Sequence, residues 1–108
     1  MNDLSFSEML KMQYELWEKH KDEWSPLEPQ YARNHFLWMI GELGEAFDII
    51  KKCGEDRIMG DEGIKSAFTE ELCDVLMYFN DLTLCYSIAP DEVEEIYLEK
   101  HGKNMERW

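Results

Sequence analysis

Basic side chains are scarce in this chain: 11 lysines and arginines stand against 24 aspartates and glutamates, a net charge of −13 over 108 residues. So negative a balance argues against a nucleic-acid backbone or an anionic membrane surface as partner. A phosphorylated ligand would need a cation to mediate. Long apolar runs are missing too. No stretch of about 18 apolar residues occurs, so no membrane span is expected. The opening MNDLSFSEML has neither the basic nor the apolar region of a signal peptide, and none is expected. Cysteine is limited to Cys53, Cys73 and Cys85, with no CxxC. Cys73 and Cys85 lie in apolar helical runs and are expected to be buried free thiols, which fits a cytoplasmic location. Histidine is equally rare. The residues three positions before His20, His35 and His101 are Trp17, Ala32 and Leu98. The ExxH pattern of di-iron bundles is therefore excluded, and clustered zinc ligands are wanting.

Hydrophobic residues make up 44% of the chain, enough for one folded domain over residues 1–108 with a modest core. Four helical segments are predicted. The first spans about Ser5 to Asp22 and is broken by Pro26 and Pro29 in WSPLEP. The second spans about Gln30 to Cys53. CGEDRIMGDEG, with its glycines and charges, reads as a loop. The third spans about Lys65 to Ser87. Pro90 suits the first turn of a fourth helix ending near Arg107, with Asp91 and Glu92 at its positive end. Nothing reads as a strand. The expected fold is an all-α, four-helix bundle.

On a helical wheel Phe36, Ile40, Leu43, Phe47 and Ile50 form one stripe, the expected core face of the second helix. Glu42 and Glu45 fall on the other side, with Trp38 and Ile49 as neighbours. On the third helix Glu71, Asp74, Tyr78 and Asp81 share a narrow stripe. Phe68, Val75 and Phe79 flank it on one side, and Cys73, Met77 and Leu84 on the other. Burying unpaired carboxylates is costly, and few basic residues lie on these helices. A divalent cation resolves the conflict. An ExxE pair facing an ExxD pair supplies hard oxygen ligands for Mg²⁺ or Mn²⁺, with each pair's acids about one turn apart on one face.

GELGEAFD, followed after a gap by EELCDVLMYFNDL, resembles the signature of the MazG-like, all-α nucleoside triphosphate pyrophosphohydrolases. Glu42, Glu45, Glu71 and Asp74 stand at its ExxE and ExxD positions, with Gly44 at the family's glycine. The ending LEKHGKNMERW is similar to the family's as well, through Lys100, Asn104 and Arg107. RNHFLWMIGELGE and Tyr78 look closest to the dCTP-pyrophosphatase branch. That branch has an aromatic residue after its first motif; Lys51 and Lys52 stand nearest that place here.

The resemblance implies Mg²⁺-dependent hydrolysis of a (deoxy)nucleoside triphosphate to monophosphate and pyrophosphate, a reaction that clears unwanted nucleotides from the pool. It assigns Glu42, Glu45, Glu71 and Asp74 to the metal and to catalysis. Trp24, Trp38 and Tyr78 are candidates for the base. Lys100, Lys103, Asn104 and Arg107 are candidates for the phosphates. It also implies a homodimer, or a dimer of dimers, completing the bundle. The competing reading is a catalytically silent nucleotide- or metal-binding helical module.

Overall fold

A computed structural model describes residues 3–108; Met1 and Asn2 of the expected domain lie outside the described residues. The described chain is all-helical, with no strand: α1 (Phe6–His20), a 3₁₀ turn (Pro29–Tyr31), α2 (Ala32–Gly60), α3 (Glu62–Cys85) and α4 (Pro90–Arg107). Among the described residues no helix is long and apolar enough to cross a membrane.

Local chemistry sets most helix ends. The Ser5 hydroxyl accepts the Glu8 N–H at 3.1 Å and so caps α1. The Asp61 carboxylate accepts the N–H groups of Gly63 and Ile64 at 2.9 and 3.2 Å and starts α3. That helix ends in a Schellman arrangement. Ser87 takes a left-handed φ of 54°. The Ile88 N–H reaches the Thr83 carbonyl at 2.9 Å, and the Ser87 N–H reaches that of Leu84 at 3.2 Å.

The loop expected from CGEDRIMGDEG is not a loop. The helix breaks at Gly54, at φ 77° and ψ 162°, after which residues 55–60 resume helical structure up to the single extended residue Asp61. Buried Ile58 anchors this turn, and Asp61 passes the chain directly into α3. The Gly54 dihedrals lie in a region open essentially to glycine alone, although a Cβ there would meet nothing within 4 Å. Gly54→Ala is therefore expected to destabilise the fold by about 1–3 kcal/mol through backbone strain alone. Urea unfolding that matches the parent would show that the junction relaxes freely.

The sequence-predicted core face of α2 is a second point at which the fold reverses expectation. Phe36, Ile40, Leu43 and Phe47 are each about half exposed, and Ile50 is half-buried. The inward seam is instead Ala32, His35, Met39, Glu42, Ala46, Ile49 and Cys53, all buried or half-buried. These positions follow alternating three- and four-residue steps, the heptad pattern of helix-on-helix packing. Glu71, Asp74, Tyr78, Asp81 and Cys85 form the matching seam on α3. The helices run antiparallel, pairing His35 with Asp81 and Glu42 with Glu71. Small alanines let them approach, and the acid stripes end up between them. Cys85 is buried as expected, but Cys73 lies off the seam and is exposed.

The resulting core is slight. Among the described residues its buried apolar side chains are Leu10, Ala32, Ala46, Ile58 and Cys85. α1 lies on α3, with Phe6 edge-on to Phe79 at 6.1 Å. α4 has no buried residue; Ile96, Tyr97 and Leu98 are all well exposed.

Candidate functional site

The antiparallel pairing of α2 and α3 brings the two acidic motifs together. Glu42, Glu45 and Glu71 each offer a carboxylate oxygen, and these oxygens lie within 4.8 Å of one another. Oε2 of Glu42 and Oε2 of Glu71 are occluded from solvent and have no hydrogen-bond partner. The ion pairs among the described residues engage Glu18, Asp81 and Glu99, none of them in this cluster. Asp74, one turn on from Glu71, shares a cleft with Glu42. Its charge also acts on Glu42.

Crowding of like charges has a direct electrostatic consequence. The Glu42 carboxyl is raised from 4.5 to about 7. Proton sharing with Glu71 is the largest cause, followed by burial and then by Glu45 and Asp74. Two unprotonated carboxylates cannot bond each other, so their orphaned oxygens and the raised value express one conflict, which a proton or a cation relieves. A hard divalent ion fits this all-oxygen donor set.

The sign of the pH dependence follows. A carboxyl raised by folding contributes stability that is fully present below its unfolded value and is lost as pH rises through the folded one. In chelator, the protein is expected to lose about 1–2 kcal/mol between about pH 4.5 and 7.5, a figure already reduced for solvent screening. Glu42→Gln should flatten that decline and melt higher than the parent at pH 8. Parallel melting-temperature curves for the two proteins in EDTA would contradict the proton-sharing account.

Beside the acids lies a cleft of about 550 Å³ bordered by α1, α2, α3 and the segment after α1. Trp24, Trp38 and Tyr78, the candidates for the base, all line it. Trp24 lies just past α1, and its ring stacks on His20 at the end of that helix, 4.5 Å away. The Trp17 indole N–H donates to the Ser25 carbonyl at 2.8 Å and fixes the same turn. Trp38 sits 6.2 Å from Tyr78, ring centre to ring centre. Burial, and then the negative charges of Glu42, Asp81, Asp74 and Glu45, push the Tyr78 phenol up, so it remains a hydroxyl donor at neutral pH.

The four C-terminal candidates are not brought to this cleft within one chain. Lys100 borders a separate apolar groove with Phe36 and Phe79. Lys103 pairs with Glu99 at 3.4 Å. Asn104 gives its carbonyl to the Trp108 N–H at 3.0 Å. The Arg107 guanidinium lies 5.1 Å from the centre of the Trp108 ring.

Three buried polar residues in the cleft carry no role in the sequence reading: Gln13, His35 and Asp81. Asp81 was visible on the acid stripe, and His35 was considered only as a metal ligand. The heptad spacing through Ala32, His35, Met39 and Glu42 is the signal that would have placed His35 inward. Burial raises the Asp81 carboxyl, while a hydrogen bond from Gln13 and the nearby His35 oppose that rise. Cys85, raised to about 11 by burial and then by the Asp81 charge, stays a thiol and offers no nucleophile.

The chain matches no protein-family model, no curated protein and no solved structure.

Proposed function

We propose that the chain is a MazG-like, Mg²⁺-dependent nucleoside triphosphate pyrophosphohydrolase, converting a (deoxy)nucleoside triphosphate to the monophosphate and pyrophosphate. The observation that carries this reading is the convergence of Glu42, Glu45 and Glu71, uncompensated by any basic side chain, beside an aromatic-walled cleft. Structural acids would be expected to diverge toward solvent or to pair with lysines. These do neither.

Glu42, Glu45, Glu71 and Asp74 would hold the Mg²⁺ (Mn²⁺ would serve the same donors), and the ion would supply positive charge to the phosphate oxygens. One carboxylate of the group would accept the proton of the attacking water. Trp24, Trp38 and Tyr78, all in the cleft lining, would offer flat surfaces for the base. The cleft of one chain has no lysine or arginine in its lining. Lys100, Lys103, Asn104 and Arg107 would therefore serve phosphate only if a second copy supplies them, which links activity to a homodimer or a dimer of dimers.

A screen of standard and modified (d)NTPs with Mg²⁺, reading pyrophosphate release, tests the assignment. At least one triphosphate should yield pyrophosphate and monophosphate in equal amounts, with no diphosphate. Binding without turnover across the whole panel would favour a silent nucleotide-binding module.

A further inference from the structure

The cleft has a closed polar floor at which three helices meet. Gln13 from α1, His35 from α2 and Asp81 from α3 stand there, each of them buried. The Gln13 amide nitrogen donates to Oδ1 of Asp81 at 2.9 Å. His35 Nδ1 lies 3.4 Å from Oδ2 of the same carboxylate, within ion-pair reach. Both imidazole nitrogens are shut off from solvent and have no hydrogen-bond partner. Water therefore cannot answer a charge on His35, and Asp81 is the acid placed to do so.

The groups facing the pair cannot stand in for the imidazole. α1 contributes Gln13 and Leu16 to the cleft, and the turn after it contributes Glu23. Glu42 faces from α2, with Asp74 and Tyr78 from α3. Cys85, also on α3, is near enough for the Asp81 charge to act on its thiol. Each of these side chains is neutral or negative in every protonation state. Among the described residues His35 is thus the cation available to Asp81.

Gln13 connects this balance to the position of α1. Leu10 and Gln13 are the buried residues of that helix, and the Gln13 amide ties it to α3. α1 in turn walls the cleft through Gln13 and Leu16 and leads into the turn that carries Trp24. With one proton on the pair, on either residue, the pair is neutral overall. Without it a bare carboxylate lies buried, which is strongly unfavourable. Hydration relieves that penalty, and water reaches Asp81 once the helix covering it moves aside.

We propose that Asp81 and His35 hold one proton between them and that this proton latches α1: its loss on raising pH releases α1 locally from α2 and α3 and opens the cleft. The latch takes nothing from the functional reading above, since it works whatever the cleft binds. The sign agrees with the displacement of the carboxyl itself. Burial raises Asp81 against the opposing effects of Gln13 and His35. A carboxyl raised by folding contributes stability that is fully present below its unfolded value and lost as pH rises through the folded one.

Hydrogen–deuterium exchange of the full chain at about pH 6 and about pH 9, corrected for the intrinsic pH dependence of exchange, brackets the range in which an imidazole ordinarily changes charge. Amides of α1 should lose on the order of tenfold or more in protection between the two, and those of α2 and α3 less. Asp81→Asn keeps an acceptor for Gln13 and carries no charge, so α1 should stay protected at both values. His35→Gln removes the cation, so α1 should lose protection already at about pH 6; it keeps the test open should Asp81→Asn fail to fold. Glu42→Gln, which relieves the acid cluster instead, should leave the response of α1 in place. Protection of α1 that does not change with pH, or a loss shared equally by the three helices, would overturn the proposal. So would a response that survives Asp81→Asn or vanishes in Glu42→Gln, or unchanged protection in His35→Gln.

Discussion

Glu45→Gln and Asp74→Asn are each expected to lower kcat/KM for the best triphosphate by on the order of a hundredfold or more, because loss of one charge from a metal site costs several kcal/mol in the transition state. The fold should tolerate both changes. Glu45 is exposed and Asp74 half-buried, and neither takes part in an ion pair found among the described residues. In a chain of net charge −13, removing a negative charge from a crowded cluster relieves repulsion, so the metal-free melting temperature should hold or rise. The rise in melting temperature on adding Mg²⁺ should shrink, since that rise reports preferential binding to the folded state. Structural and ligand roles therefore agree on metal-free stability and part on activity and metal response. Full turnover in either variant, or orthophosphate as the first product of the parent, would rule the acids out as the metal site of a pyrophosphohydrolase.

Local signals in the sequence were sufficient for the four helices. Pro90 and the break at WSPLEP are effects of one or two side chains on the adjacent backbone, and such effects can be read without knowing the partner helix. The junction between α2 and α3 was less legible. Three glycines within CGEDRIMGDEG suggested a loop, yet only Gly54 and Asp61 leave helical geometry, because Ile58 finds cover and Asp61 caps the next helix at once. The inward face of α2 was misassigned for a different reason. Hydrophobicity ranks Phe36, Ile40, Leu43 and Phe47 above Ala32, His35, Glu42 and Ala46, so a wheel puts the aromatic stripe inside. Close approach of two helices instead favours small side chains along the seam, and that preference is geometric. The ExxE and ExxD spacing did anticipate that Glu42, Glu45 and Glu71 would converge. It did not reveal the Gln13, His35 and Asp81 floor, since Gln13 comes from a helix remote in sequence and the hydrogen bond spans 68 positions.

The exposed aromatic stripe leads to the other large expected effect: the parent chain should be at least a dimer at micromolar concentration, and Ile40→Glu combined with Phe47→Glu should dissociate it. Three quantities support a missing partner. The chain exposes 8454 Å², whereas a folded monomer of 12.9 kDa exposes about 6,300 Å². The excess, about 2,100 Å², is comparable to the area each partner loses in a large obligate interface. The radius of gyration is 16.3 Å, against about 13 Å for a compact domain of this length. Finally, Phe36, Ile40, Leu43 and Phe47 form a continuous apolar strip on the outer face of α2, each about half exposed, and contiguous strips of this kind mark association surfaces. A second copy presenting the same strip would cover it symmetrically. Two glutamates placed there would be buried without cations on assembly. The dissociation constant should then rise on the order of a thousandfold or more. Neither site is in the inward seam, so each chain should keep its helical content by circular dichroism while sedimentation equilibrium reports the monomer mass. If phosphate contacts come from a second copy, turnover at nanomolar chain concentration should fall with assembly. A parent that sediments only as a 12.9 kDa species, or a doubly charged variant that still associates, would mean that something other than this strip covers α2.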